Sequence, residues 1–195
     1  MAASLAQTIF TIMSFFRYTG ILCLSLTMLA CQPEKAETAK PQSAADETAE
    51  SITAPVFTGR TLDGATVSSR DLAGKAYIVN FFASWCPPCR AEMPDMIALQ
   101  EEYEKKGFTF IGITVDEDIT KARDFVRDYG INFPVVVADK QILDAYSPFV
   151  QGGLSSIPTS FVIGVNGNLS SVLVGAQSKM AFDGLIREAI GADQQ

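Results

Sequence analysis

The chain has 195 residues, a formal net charge of −7, no histidine, and four cysteines, Cys23, Cys31, Cys86 and Cys89. No basic face is available to displace counterions from phosphates, which argues against a nucleic-acid partner, and no Gly-rich phosphate loop indicates a nucleotide cofactor. Without histidine there is no Cys-His hydrolase, Ser-His-Asp triad or His-ligated copper or haem. A single CxxC in the folded part leaves too few ligands for structural zinc.

In chain order, residues 1–31 read as a signal peptide rather than as part of the fold. Ile21 to Ala30 is an apolar run too short for a transmembrane span but suited to an h-region. Met28-Leu29-Ala30-Cys31 resembles a bacterial lipobox, which makes Cys31 the candidate lipidation site and mature N-terminus. The alternative is an uncleaved anchor using the longer apolar stretch from Ile9, interrupted by Arg17. The short h-region and the polar sequence after it favour the lipoprotein; both readings tether the protein to a membrane, outside the cytoplasm. Residues 32–50 hold no aromatic or large aliphatic side chain and cannot offset their ordering entropy by burial, so they read as a flexible tether.

Residues 51–192 form one domain of ordinary size. Val56-Phe57 and Thr66-Val67 flank the turn signal Asp63-Gly64, predicting a hairpin. Ala76 to Phe82 is a nearly continuous apolar run, as in a strand covered on both faces. Pro87 to Lys106 reads as a helix, with Met93, Ile97, Leu99 and Tyr103 on its apolar side and Pro94 bending it early. A strand over 108–115 and a helix over 119–129 ending at Gly130 follow. Asp116, Glu117 and Asp118 between them read as a solvated loop or helix cap. Next come a strand over 135–137, a short helix over 142–149, strands over 159–165 and 169–174 joined by Asn166-Gly167, and a last helix over 179–190. This alternation predicts an α/β fold, a central sheet with helices on both faces.

Ser84-Trp85-Cys86-Pro87-Pro88-Cys89-Arg90 carries the chemistry. Cys86 falls at or just before the first helical turn, where unpaired N–H groups and the helix dipole favour thiolate over thiol. Cys89, one turn on, is placed to attack a mixed disulfide formed at Cys86. Pro87 suits the first turn because its missing N–H has no partner to lose. A purely structural bridge across so small a loop would constrain the unfolded chain little. Trp85 is read as a wall beside the disulfide, and Glu92 stands in the first turns, where a carboxylate also stabilises a helix start.

The segment from Val79 to Pro94, VNFFASWCPPCRAEMP, resembles the active site of the TlpA/ResA-like thiol–disulfide oxidoreductases of the thioredoxin superfamily, a likeness extending over nearly all of residues 51–192. The resemblance implies a thioredoxin-like fold, a central mixed β-sheet with an N-terminal hairpin extension. It also implies a redox pair of Cys86 and Cys89, and proton handling by Glu92 of the C-x-x-E-x-P pattern. Pro158 of Ile157-Pro158-Thr159 would be cis and lie against the disulfide. The Ile157 backbone would pair with an extended segment of the substrate protein, beside Trp85. Thioredoxins proper carry a buried aspartate where Asn80 stands, so the base here is Glu92 or water. Phe82 replaces a common tryptophan, and Ser155-Ser156 precede Ile157 where many relatives have glycine or bulkier residues.

The expected function is membrane-tethered, extracytoplasmic disulfide exchange on protein substrates, with electrons flowing toward the substrate from a membrane thiol donor, and with no cofactor and no metal. Reduction for cytochrome c maturation is the family-level expectation. Two other readings are a peroxiredoxin-like peroxidase and a copper-binding chaperone of the same fold. Ala83 and Val79 occupy the positions of the peroxidase's hydroxyl residue and proline, and the chaperone's histidine is missing.

Overall fold

The computed structural model describes residues 51–191. The predicted signal peptide, Cys31 and the tether lie outside the described residues. The domain opens with the predicted hairpin, β1 (Thr58–Arg60) and β2 (Thr66–Ser68), followed by a 3-10 turn over Ser69–Leu72. Then come β3 (Ala76–Phe82), α1 (Pro87–Tyr103), β4 (Phe108–Thr114), α2 (Ile119–Tyr129), β5 (Val135–Val137), α3 (Lys140–Tyr146), β6 (Thr159–Ile163), β7 (Leu169–Val174) and α4 (Lys179–Ala189). The five-stranded sheet has the order β5-β4-β3-β6-β7. β3, β4 and β5 run parallel, while β6 is antiparallel to both β3 and β7. It is the mixed sheet the resemblance implies.

β3 lies at the centre, and all seven of its residues are buried. Its side chains alternate between the two faces, as a pleated strand requires. Ala76, Ile78 and Phe82 join Met93, Met96, Phe110, Phe125 and Phe182 in the core under α1, α2 and α4. Tyr77, Val79 and Phe81 join Phe57, Ile142, Tyr146 and Phe161 in the core under α3 and the hairpin segment. Phe81, Tyr146 and Phe161 meet edge to face, with centroids 4.8–5.7 Å apart. Each fully buried aromatic of this kind contributes roughly 1.5–3 kcal/mol by leaving water. The hairpin also covers the β5 edge: Thr61 bridges Val136, and the Leu62 N–H donates to the Val135 carbonyl at 3.0 Å.

Several element ends differ from expectation, each for a local reason. α1 stops at Tyr103; a 3-10 turn over Glu104–Lys106 follows, and Gly107 closes it at φ 85°. α3 begins at Lys140, two residues early, because the Asp139 carboxylate accepts the Ile142 N–H. The predicted helix to 149 ends instead as a 3-10 turn over Ser147–Phe149. β6 stops at Ile163, where the Gly164 N–H turns to the Asn168 carbonyl. Pro94 is accommodated within a continuous α1, on an exposed side of the helix. The buried face of α1 also carries Met96, Glu92 and Gln100, which the apolar pattern omitted. The Gln100 side-chain oxygen accepts the Phe110 N–H of β4 at 2.8 Å, which accounts for a polar residue there.

Gly112 of β4 stands between Asn80 and Val135 in the register. A Cβ there would lie 2.9 Å from Phe82, 3.3 Å from Val135 and 3.4 Å from Phe133. Gly112→Ala is therefore expected to destabilise the domain by about 1–3 kcal/mol through overpacking, read as a lower urea midpoint at unchanged m value. An unchanged midpoint would show that the Phe82 and Phe133 rings yield without cost.

Candidate active site

β3 ends at Phe82, and the chain turns over Ala83–Trp85 before α1 begins. Cys86 is the N-cap of α1, in extended conformation, with Pro87 and Pro88 opening the helix. The Cys89 N–H donates to Cys86 Sγ at 3.3 Å, so this sulfur receives one of the N–H groups that a helix start leaves unpaired. Cys86 and Cys89 form a disulfide with a Cα–Cα distance of 5.3 Å. Cys86 is 3 % exposed and Cys89 fully enclosed. Cys86 Sγ also lies 3.8 Å from the Ile157 carbonyl oxygen, and the Ile157–Pro158 peptide is cis. The fold thus brings together Cys86, Cys89, Ile157 and Pro158 at the C-terminal end of β3, the end of a parallel strand where α/β sheets place their sites. Trp85 stands beside them, 65 % exposed, and is no part of the core.

Beneath the pair, Glu92 is buried one helical turn after Cys89. One carboxylate oxygen accepts from the Asn80 side-chain amide at 2.9 Å, the other from the Gln177 backbone N–H at 2.9 Å. The Asn80 amide donates as well to Ser160 Oγ at 3.0 Å, across the directly opposed β3–β6 pair. Burial pushes the Glu92 carboxyl up to about 7, against the two hydrogen bonds, which favour the carboxylate. Glu92 is thus able to take up and release a proton near neutral pH. Asn80, by contrast, orients the carboxylate without exchanging protons with it.

On the far side of the turn, Asp116 corrects the reading of the acidic run 116–118. Asp118 caps α2 by accepting the Thr120 N–H, but Asp116 is buried. Its carboxylate accepts from the Ser84 N–H at 2.9 Å, Ser84 Oγ at 2.7 Å and Thr114 Oγ1 at 2.7 Å. Those three donors satisfy a charge that would be costly to bury alone. The Ser84 carbonyl accepts from Arg90 at 3.0 Å.

Sequence reasoning missed Ser160, Gln177 and the Ser84–Asp116 contact. The spacing Thr114-x-Asp116 carries a signal for the last, because it continues the alternation of β4. Gln177 has none, since its place depends on the path of the loop into α4. Among the described residues no cluster of three or more Cys, His, Asp or Glu could hold a metal ion.

The raised Glu92 carboxyl gives a signed prediction for the oxidised protein. Because the folded state holds this proton more tightly than the unfolded chain, the associated stabilisation is complete below about pH 4.5 and is lost as pH rises through about 7. Glu92→Gln removes that dependence. Beyond a constant offset, the variant should gain on the parent by about 3 kcal/mol between pH 4.5 and 8. Urea unfolding at several pH values measures this, and parallel curves would place the Glu92 carboxyl in its ordinary range.

The AhpC/TSA family model matches residues 51–172. The thiol-disulfide oxidoreductase ResA of Bacillus anthracis is 35% identical over 136 residues, 69% of this chain and 75% of that protein. ResA of Bacillus subtilis is 32% identical over 165 residues, 84% and 87% of the two chains. Among solved structures, a thiol:disulfide interchange protein of the thioredoxin family from Chlorobium tepidum is similar with a TM-score of 0.70 and 47% identity, covering 72% of this chain and 97% of that one. A secreted Mycobacterium tuberculosis disulfide oxidoreductase, homologous to Escherichia coli DsbE, gives a TM-score of 0.60 at 26% identity, over 68% and 95% of the chains. With a redox-capable cysteine pair at a helix start, and relatives of this kind across most of the domain, the chain belongs to the TlpA/ResA-like thiol–disulfide oxidoreductases of the thioredoxin superfamily.

Proposed function

We propose that the protein is a membrane-tethered, extracytoplasmic reductase of protein disulfides that works through Cys86 and Cys89. The observation that carries this reading is the position of Cys86 Sγ, at the N-cap of α1 with the Cys89 N–H aimed at it. In the reduced protein that N–H and the helix start favour the Cys86 thiolate. The thiolate attacks one sulfur of a substrate disulfide; the substrate S–S bond breaks, a Cys86–substrate mixed disulfide forms, and one substrate thiolate leaves. Cys89 then attacks Cys86 Sγ, giving its proton to Glu92, and releases the second substrate thiolate. Two electrons have passed to the substrate, and the protein holds the Cys86–Cys89 bond. A membrane thiol donor returns it to the dithiol.

Ile157, Pro158 and Trp85 form the substrate-facing rim. Among the described residues no hydrogen bond engages the Ile157 N–H, which supports pairing of that backbone with an extended substrate segment. Apocytochromes, whose haem-binding thiols must be free, are the substrate class. The lipobox ending at Cys31 and the tether over 32–50 support attachment to the outer face of a membrane. Among the described residues no helix is long and apolar enough to cross one.

Two experiments test this reading. A Cys89→Ala variant in its native compartment should accumulate mixed disulfides on Cys86 that reducing agent releases. Capture of no protein, while Cys86 still alkylates, would sink the protein-substrate assignment. Palmitate labelling should mark the parent and not Cys31→Ala, with Cys31 as the mature N-terminus by mass spectrometry; an unlabelled protein retaining its leader would establish the uncleaved anchor instead.

A further inference from the structure

Ser84 is held at every polar atom. Its N–H and hydroxyl both donate to the Asp116 carboxylate, and its carbonyl accepts from Arg90. Asp116 is in turn fixed by Thr114 Oγ1 at the end of β4. Arg90 reaches across from α1 and lies over the rings of Phe125 and Tyr129 in α2, 5.4 and 5.2 Å from their centroids. Three elements therefore converge on one small residue. A buried carboxylate is an expensive way to hold a loop, since its desolvation must be met by hydrogen bonds of good geometry.

The residue that follows shows what this holding achieves. Trp85 is the single tryptophan of the chain, and it is 65 % exposed between Ser84 at 9 % and Cys86 at 3 %. Its backbone is fixed on both sides, by the Asp116–Ser84–Arg90 contacts before it and by the helix cap at Cys86 after it, where the Cys86 N–H also meets the Ala83 carbonyl at 3.2 Å. The indole has no ring contact or hydrogen bond among the described residues. A large aromatic left in water on a rigid turn beside a reactive sulfur has the character of a binding hot spot, whose affinity grows when its ordering cost is met before the partner arrives.

We propose that Asp116 is a positioning residue for substrate docking: acting through Ser84, it fixes the turn that presents Trp85 as a preorganised apolar platform beside Cys86 for a hydrophobic side chain of the substrate protein. This rests on the reading that Cys86 exchanges with protein disulfides.

The test is a double-mutant cycle in the full chain, with a disulfide-bonded peptide bearing an apolar side chain next to its cysteine as substrate. Asp116→Ala and Trp85→Ala should each raise KM by about tenfold with a smaller change in kcat. Because Asp116 acts through Trp85, the double variant should be no worse than Trp85→Ala within about twofold. The Trp85 backbone amide order parameter, about 0.85 in a rigid turn, should fall toward 0.6 in Asp116→Ala and stay high in Ser84→Thr, which keeps both donors. Should Asp116→Ala fail to fold, Ser84→Ala removes only the hydroxyl bond and should show a smaller KM rise with the same non-additivity. Multiplying KM effects, a Trp85 amide that stays rigid without Asp116, or a loss confined to kcat would each overturn the proposal. A parent protein that turns over no peptide disulfide would instead overturn the exchange reading, leaving the order parameter to decide whether Asp116 holds the turn.

Discussion

The first turn of α1 has backbone N–H groups with no intrahelical carbonyl to receive them, and Cys86 Sγ stands where one of them points. Much of the site follows from that constraint. A cap must precede the helix in extended conformation, so the sulfur sits at the strand end rather than within the helix. Proline tolerates the next two positions because no bond is lost there. The second cysteine then falls one turn on, inside the core, one further turn before the buried Glu92. A generic helix start thus separates the two thiols into one facing the cis-proline rim and one facing the interior.

The interior thiol has a polar layer beneath it that the surrounding apolar packing makes consequential. Glu92, Asn80 and Ser160 come from three different elements, and Gln177 from a fourth segment, so the carboxylate is oriented from every side on which it is hydrogen-bonded. A buried carboxyl whose hydrogen-bond donors are neutral has its proton affinity set chiefly by desolvation. Asn80 makes the arrangement asymmetric. Its amide nitrogen is used twice, while its side-chain oxygen is buried without a partner among the described residues, an energetic cost retained next to the reactive pair.

The central sheet was legible in the sequence because β3 and β4 are apolar enough to declare burial on both faces, and because Asn166-Gly167 marks the β6–β7 turn directly, as Asp63-Gly64 does for the separate N-terminal hairpin. The cysteine pair was legible from its spacing at the strand-to-helix junction. What stayed hidden was polar burial. Asp116 sits in a row with Glu117 and Asp118, and charge alone made all three look solvated; only the strand's alternation separates the first from the others. Glu92 and Gln100 interrupt the apolar stripe of α1, so the helix reads as weakly sided although its face is well defined by Cys89, Met93, Met96 and Tyr103. Gln177 contributes a backbone N–H, a group every residue but proline has, and no side-chain pattern announces it.

The alternation of β3 also divides the labour of the molecule. The positions occupied by Ile78, Asn80 and Phe82 face the helix that carries the cysteines, whereas Tyr77, Val79 and Phe81 face an aromatic layer that touches none of them. Drift on the second face is a matter of fit alone, while the first face must keep its amide in step with the carboxylate beneath the sulfurs. Loss of a single residue within β3 would exchange the two faces, turning the amide toward the aromatic layer and a hydrocarbon toward Glu92. The chemistry is thus tied to the parity of one strand, and a change of length there is more damaging than a change of size.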